Sequence, residues 1–194
     1  MTRPLDLGIG LLLAVVLLPV LAVIAIAVRL DSTGPILHRS LRAGRGGETF
    51  AMVKFRTMRP NAERDGPAIT GPRDPRMTRV GRFLRRHRLD ELPQLWNVAR
   101  GDMALVGPRP EDPRFVALYG DADRAVLAVR PGLCGAAQLA FKNEERLLPA
   151  DDVEAAYVRD ILPRKLAIDR AYVHDRSLGG DLAILGRSVL ALFR

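Results

Sequence analysis

Residues 7–28 form a run of 22 positions without a charge, bounded by Arg3 and Arg29. As a helix, such a run reaches across a hydrocarbon layer about 30 Å thick. It lacks the small-residue cleavage site and polar linker of a signal peptide, so it reads as retained. Pro19 falls near its middle, removes one backbone hydrogen bond and predicts a kink there. On physical grounds alone the default is a single kinked span with the Arg-rich remainder in the cytosol.

After this run, Asp31-Ser32-Thr33-Gly34-Pro35 is a turn cluster that lifts the chain away from the membrane. Two extended runs, residues 36–41 and 48–55, flank the Gly-rich Ala43-Gly44-Arg45-Gly46-Gly47 and read as a β-hairpin. Alternation along the second strand puts Lys54 and Arg56 on one face and Phe55 in the core. A Lys and an Arg side by side suit a diphosphate, or else a solvated strand edge. Residues 59–75 are rich in Pro, Gly, Asp and Asn and read as a loop long enough to cover a substrate. Residues 78–88 form a basic amphipathic helix bearing Arg79, Arg82, Arg85, Arg86 and Arg88, of the kind that lies on an anionic membrane surface.

The most chemically suggestive stretch is Leu89-Asp90-Glu91-Leu92-Pro93-Gln94, continuing through Trp96 and Gly101-Asp102 to Leu105-Val106-Gly107-Pro108-Arg109-Pro110. Asp90 fits a helix N-cap, with Pro93 in the first turn where a missing N–H costs nothing. Adjacent carboxylates on a helix point about 100° apart, so Asp90 and Glu91 each meet a different reactant. A carboxylate at a helix start keeps a low pKa and sits where an anionic phosphate is welcome. The pair also satisfies a purely structural reading, cap plus dipole partner. Two prolines fix the backbone of Arg109 and aim its guanidinium, as a phosphate clamp or as a simple turn arginine. Trp96 is expected in the core or at its membrane edge.

Further on, residues 115–130 read as a helix ended by Pro131-Gly132, and 133–141 as a strand or bulged turn before the Glu144-Glu145 loop. Residues 153–161 and 164–174 are two helical patterns split by Pro163, and 181–193 a last amphipathic helix. One hairpin, one short strand and several helices give an α+β fold: a membrane-embedded kinked helix (1–30), then one cytosolic domain (31–194) with membrane-associated helices. The 30 basic against 22 acidic residues, a net charge of +8, are nearly all arginine and point to phosphate-bearing partners. Only Phe83, Trp96 and Phe115 supply aromatic rings between Arg59 and Tyr119, too few for stacking single-stranded bases, so nucleic acid is not expected. The single cysteine, Cys134, excludes an internal disulfide and reads as a small buried residue.

The Asp90–Gln94 word together with Gly101-Asp102-Met103-Ala104-Leu105-Val106-Gly107-Pro108-Arg109-Pro110 resembles the signature of the bacterial sugar transferases, the monotopic phosphoglycosyl transferases. Lys54-Phe55-Arg56-Thr57-Met58, Asp74-Pro75-Arg76 and Arg130-Pro131-Gly132 resemble the family in the same order. The resemblance implies a two-step exchange. Asp90 attacks the sugar-bearing phosphate of a nucleoside-diphosphate sugar, with uridine as the nucleoside, and a polyprenol phosphate then takes the phosphosugar. It implies Asp90 and Glu91 as the catalytic pair, Lys54, Arg56, Gln94 and Arg109 as substrate-binding residues, and Mg²⁺ ligated in part by Asp90. It also implies that the apolar helix breaks at Leu18-Pro19 and re-enters the cytosolic face of the bacterial inner membrane, in contact with phospholipids. Leu18 stands where the family has Ser, Cys134 where Thr is usual, and Ala104 where Ser is common. A catalytically silent adaptor and a membrane-anchored nucleic-acid binder are the competing classes. The oligomeric state, a homodimer among the options, is left open.

Overall fold

The computed structural model describes residues 3–62, 66, 74–142, 144, 147–149 and 152–191. Two apolar helices open the chain, α1 (Arg3–Val16) and α2 (Leu18–Asp31), bent by 61° at Leu17. Pro19 is the second residue of α2, where its missing N–H is not needed, so the helix restarts at Leu18 and the break falls one residue earlier than expected. Leu17 gives no side-chain cap. No single helix among the described residues is long and apolar enough to cross a membrane, but the bent pair passes that test together.

Strands β1 (Leu37–Ala43) and β2 (Thr49–Phe55) form the antiparallel hairpin, pairing His38 with Lys54 and Ala43 with Thr49. Helix α3 (Arg79–Arg86) follows, capped by Thr78, whose Oγ1 accepts the Gly81 N–H at 2.9 Å. A 3₁₀ turn (Leu89–Gln94) then leads into α4 (Leu95–Arg100), which Gly101 ends in a left-handed conformation. Strand β3 (Ala104–Val106) pairs in parallel with β4 (Gly132–Cys134), Ala104 opposite Gly132. The two segments touch so closely that a Cβ on Gly132 would lie 2.1 Å from the Gly107 nitrogen.

Between these strands the expected helix over 115–130 is broken into α5 (Pro113–Val116) and a 3₁₀ turn (Asp123–Ala128) around Gly120. The break lets Phe115, Val116, Tyr119 and Val126 all turn into one core with Tyr157, Ile161 and Leu166. After β4 the chain forms α6 (Ala136–Ala140) rather than a longer strand. Helix α7 (Val153–Ala156) and α8 (Leu162–His174) are joined by a wide π turn (Tyr157–Ile161) instead of being separated. The wider turn accommodates Pro163, which lacks an N–H and sits in the first turn of α8. Helix α9 (Leu178–Ala191) starts three residues earlier than expected, and its predicted end at 192–193 lies outside the described residues, as does most of the predicted loop at 59–75.

A second core, Met52, Leu95, Val98, Met103, Leu105 and Val106, takes Ile9, Ala14 and Leu17 from the helix pair against it. A third unites Ile24 and Val28 of α2 with Phe55 and Leu84. Asn97 ties β2 to α4: its Oδ1 accepts the Val53 N–H at 3.0 Å and its Nδ2 donates to the Ala51 carbonyl at 2.9 Å. Trp96 is 61% exposed and so does not fill the core, because its neighbours Leu95 and Val98 take the inward positions of α4.

Candidate active site

Asp90 is not a helix N-cap. Arg88 holds a left-handed backbone (φ 54°) and starts the 3₁₀ turn, so Asp90 and Glu91 fall inside the turn's first residues. Their neighbours open onto a cavity of about 230 Å³, to which β2 brings Lys54, α3 Arg85, and the turn after β3 Arg109. Seven basic side chains (Arg42, Lys54, Arg85, Arg88, Arg109, Lys142, Lys165) line it against four acidic ones (Asp90, Glu91, Asp112, Glu144), a balance that suits a polyanion.

The pKa values of the two adjacent carboxyls are shifted in opposite directions. Arg109 Nη2 donates to Glu91 Oε1 at 2.7 Å. Burial pushes the Glu91 carboxyl up, but the charge and hydrogen bond of Arg109, with Arg88 and Lys54 behind them, outweigh it and hold Glu91 below the usual range. The Glu91 charge in turn keeps Arg109 firmly protonated against its own burial. Asp90 has no hydrogen bond or ion pair among the described residues. Burial, and then the neighbouring Glu91 charge, lift its carboxyl to about 6 against the pull of Lys54, Arg85 and Arg109. The low pKa expected of a helix-start carboxylate is therefore overturned: Asp90 lies inside a short 3₁₀ turn rather than at a cap, and desolvation dominates. Burial also lowers the Lys54 ammonium pKa, opposed by Asp90 and reinforced by Arg85, Arg42 and Arg109.

Of the residues the sequence singles out, Asp90, Glu91, Lys54 and Arg109 converge on this cavity. Arg56 does not line it. The strand ends at Phe55, and the Arg56 side chain turns back to the end of α2. There it donates to the carbonyls of Pro35, Val28 (3.2 Å) and Ser32 (2.7 Å) and to Ser32 Oγ at 2.9 Å. Gln94 is also absent from the lining. One 3₁₀ turn beyond Glu91 it is drawn into the interior, 1% exposed, with Nε2 unpartnered. The sequence reading missed the far wall, where Phe115, Gln138, Phe141, Tyr157 and Lys165 face the same cavity. Lys165 Nζ donates to Tyr157 Oη and to Glu144 Oε2, both at 3.0 Å, and Tyr157 Oη donates to Glu111. Lys165 stands beside Arg164 and near Asp169 and Arg170 in α8, so nothing in the sequence set it apart as part of that wall.

The model of the family described as bacterial sugar transferase matches residues 1–194. The chain is 38% identical over 190 residues to the undecaprenyl-phosphate glucose phosphotransferase of Komagataeibacter xylinus, covering 94% of this chain and 34% of that one. It is 40% identical over 195 residues to the UDP-glucose:undecaprenyl-phosphate glucose-1-phosphate transferase of Caulobacter vibrioides, with 98% and 68% covered. To the UDP-N-acetylgalactosamine-undecaprenyl-phosphate N-acetylgalactosaminephosphotransferase of Aeromonas hydrophila it is 34% identical over 192 residues, with 94% and 42% covered. The chain thus spans between about a third and about two thirds of the length of these relatives. Matched from end to end by the family model, with its acidic pair, lysine and Pro-flanked arginine gathered on one cationic cavity, this chain belongs to the bacterial sugar transferase family.

Proposed function

We propose that the chain transfers a sugar 1-phosphate from a UDP-sugar to undecaprenyl phosphate through a phosphosugar on Asp90. The observation that carries this reading is the asymmetry of the acidic pair. Glu91 is committed to Arg109, while Asp90 faces a cationic cavity with its carboxylate unengaged among the described residues. A carboxylate made more basic by burial, yet ionised at neutral pH, is a stronger nucleophile than a surface aspartate.

In the first step an Asp90 oxygen forms a bond to the sugar-bearing phosphorus as the bond from that phosphorus to the bridging oxygen breaks. The electron pair leaves with UMP. In the second, an oxygen of undecaprenyl phosphate attacks the same phosphorus and the Asp90 carboxylate is released unchanged. No proton needs to move in either step. Lys54 and Arg109 supply fixed positive charge where the phosphoryl oxygens gather, and Glu91 holds the Arg109 guanidinium in register. Among the described residues no three His, Cys, Asp or Glu side chains converge as a metal cage. Mg²⁺ more often takes one or two carboxylates together with substrate phosphates and water, so Asp90 fits as its protein ligand. Bound there, the ion would neutralise diphosphate charge.

The apolar pair α1 and α2 lies in the cytosolic leaflet of the bacterial inner membrane as a re-entrant bend, in contact with phospholipid. The exposed Leu11, Leu12, Val16, Val23 and Ile26 supply the lipid-facing surface. The product opens a polysaccharide or glycoconjugate assembly on its lipid carrier. The test is intact-mass analysis of the full chain in nanodiscs with Mg²⁺ and a panel of UDP-sugars. We expect a gain of one phosphosugar from the preferred donor, absent in Asp90→Asn and discharged by undecaprenyl phosphate. Failure of every donor to release UMP, with acceptor present, overturns the reading.

A further inference from the structure

Gln138 takes no part in the transfer chemistry, yet it forms part of the same cavity wall. The residue is 6% exposed, and neither Oε1 nor Nε2 of its carboxamide has a hydrogen-bond partner. A buried amide left unpaired costs stability relative to an apolar side chain of similar shape, and such groups are rare enough in folded proteins to demand a reason. Its backbone does have a role, because Arg88 Nη2 donates to the Gln138 carbonyl at 3.4 Å. That contact links α6 to the residue that launches the Asp90 turn.

The surroundings of the carboxamide suggest what it serves. A methyl on Gly135 would meet Gln138 Oε1 at 3.1 Å and the Gly107 carbonyl at 2.5 Å, which sets the amide beside the turn that carries Arg109. Phe141 follows three residues later, just past the end of α6. It faces the cavity with Phe115 and Tyr157, whose tilted rings have centroids 5.1 Å apart. An unpaired donor and acceptor just beneath the wall of a cavity that also holds Arg109, with aromatic rings alongside, is matched to a flat heterocycle joined to a phosphate.

We propose that the Gln138 carboxamide reads the base of the donor nucleotide, pairing Nε2–H with a ring carbonyl and Oε1 with the adjacent imide N–H. The aromatic side chains of the same wall pack against the ring. This assignment rests on the UDP-sugar reading above and adds a specificity-determining residue to it.

The test is calorimetric titration of the full chain in nanodiscs with UMP, N3-methyl-UMP and ribose 5-phosphate. N3-methylation removes the imide donor, and ribose 5-phosphate removes the base. Wild type should prefer UMP over N3-methyl-UMP by about tenfold or more, because the analogue leaves a polar site unpaired. In Gln138→Leu this preference should vanish while ribose 5-phosphate binds as before, and the thermal midpoint should not fall, since an unpaired amide has been removed. Gln138→Met provides the same comparison should branching at Leu disturb the packing. Persistence of the preference in both variants overturns the proposal. So does an equal loss for UMP and ribose 5-phosphate. A wild type that shows the preference but never carries a phosphosugar sinks the transfer mechanism and leaves the base assignment standing. One that carries the phosphosugar without the preference does the reverse.

Discussion

At Asp90, burial is both an energetic cost and a chemical asset. Its carboxyl is lifted from the ordinary aspartate range to about 6 by desolvation and by Glu91. For an acid whose folded-state pKa is raised, the stabilising contribution is complete below the unfolded value and is lost as pH rises through the folded one. Ionised Asp90 therefore destabilises the fold at neutral pH, by up to about 3 kcal/mol at 1.36 kcal/mol per pH unit. Asp90→Asn should abolish adduct formation and at the same time raise the thermal midpoint at pH 7.5 by several degrees. At pH 4 that gain should disappear, and a midpoint that falls at both pH values would show that Asp90 is a structural ion. If Asp90 is the nucleophile proposed above, initial rates should decline below pH 6 as it protonates. Glu91→Gln removes the charge that helps to raise Asp90, so the acid limb of its rate profile should shift to lower pH. A limb that stays in place in this variant would mean that another group titrates.

Among the elements, the end of α2 is secured by side chains that sequence spacing assigns to other work. Arg56 donates to Val28, Ser32 and Pro35 carbonyls and to Ser32 Oγ, and Asp31 Oδ2 accepts the Val80 N–H at 2.9 Å, so α2, β2 and α3 meet at one joint. Charge-assisted hydrogen bonds of this kind are worth about 1.5–3 kcal/mol each, with losses that do not add. Arg56→Met should therefore lower stability by about 2–4 kcal/mol, measured by denaturant unfolding, while leaving the KM for donor within about twofold. A large KM rise without loss of stability would return Arg56 to the substrate. The hairpin, the helix that follows Thr78 and the kink near Pro19 were legible because each rests on local rules, namely turn residues, helical spacing and a missing N–H. The turn at Asp90 was not legible. It depends on a positive φ at Arg88, a conformation that sequence rules reserve for Gly or Asn and that only tertiary contacts impose here. Arg56 misled for a related reason. Strand alternation holds only as far as Phe55, and where a strand stops is decided by what it packs on. The far wall of the cavity comes from α5, α6 and α8, distant in sequence, so Phe115, Gln138, Tyr157 and Lys165 carry no shared spacing to read.

At the scale of the whole molecule, the placement of α1 bears on how the protein sits in a bilayer. Asp6 is only 7% exposed, and its Oδ1 accepts the Leu105 N–H at 3.2 Å, at the edge of the strand that leads to Arg109. One turn on, a Cβ at Gly10 would lie 3.0 Å from a methyl of Val98 in α4. The start of α1 is thus packed against β3 and α4, and the end of α2 is joined to the segments that follow it through Arg56 and Asp31. A span that delivered residue 6 to the opposite surface would strip the Leu105 N–H of its partner. On the proposed re-entrant reading, the 61° bend between the helices would let the apolar faces dip into one leaflet and return. Single cysteines at Leu5 (45% exposed) and Leu30 (82% exposed), made in a Cys134→Ala background, report the outcome. In inverted inner-membrane vesicles, whose cytosolic face is outward, a membrane-impermeant maleimide should label both positions. Labelling at Leu30 with protection at Leu5 until detergent is added would make the pair a spanning helix. The Asp6 contact would then have to be broken in the membrane-bound protein, and with it the support that α1 gives to the strand leading to Arg109.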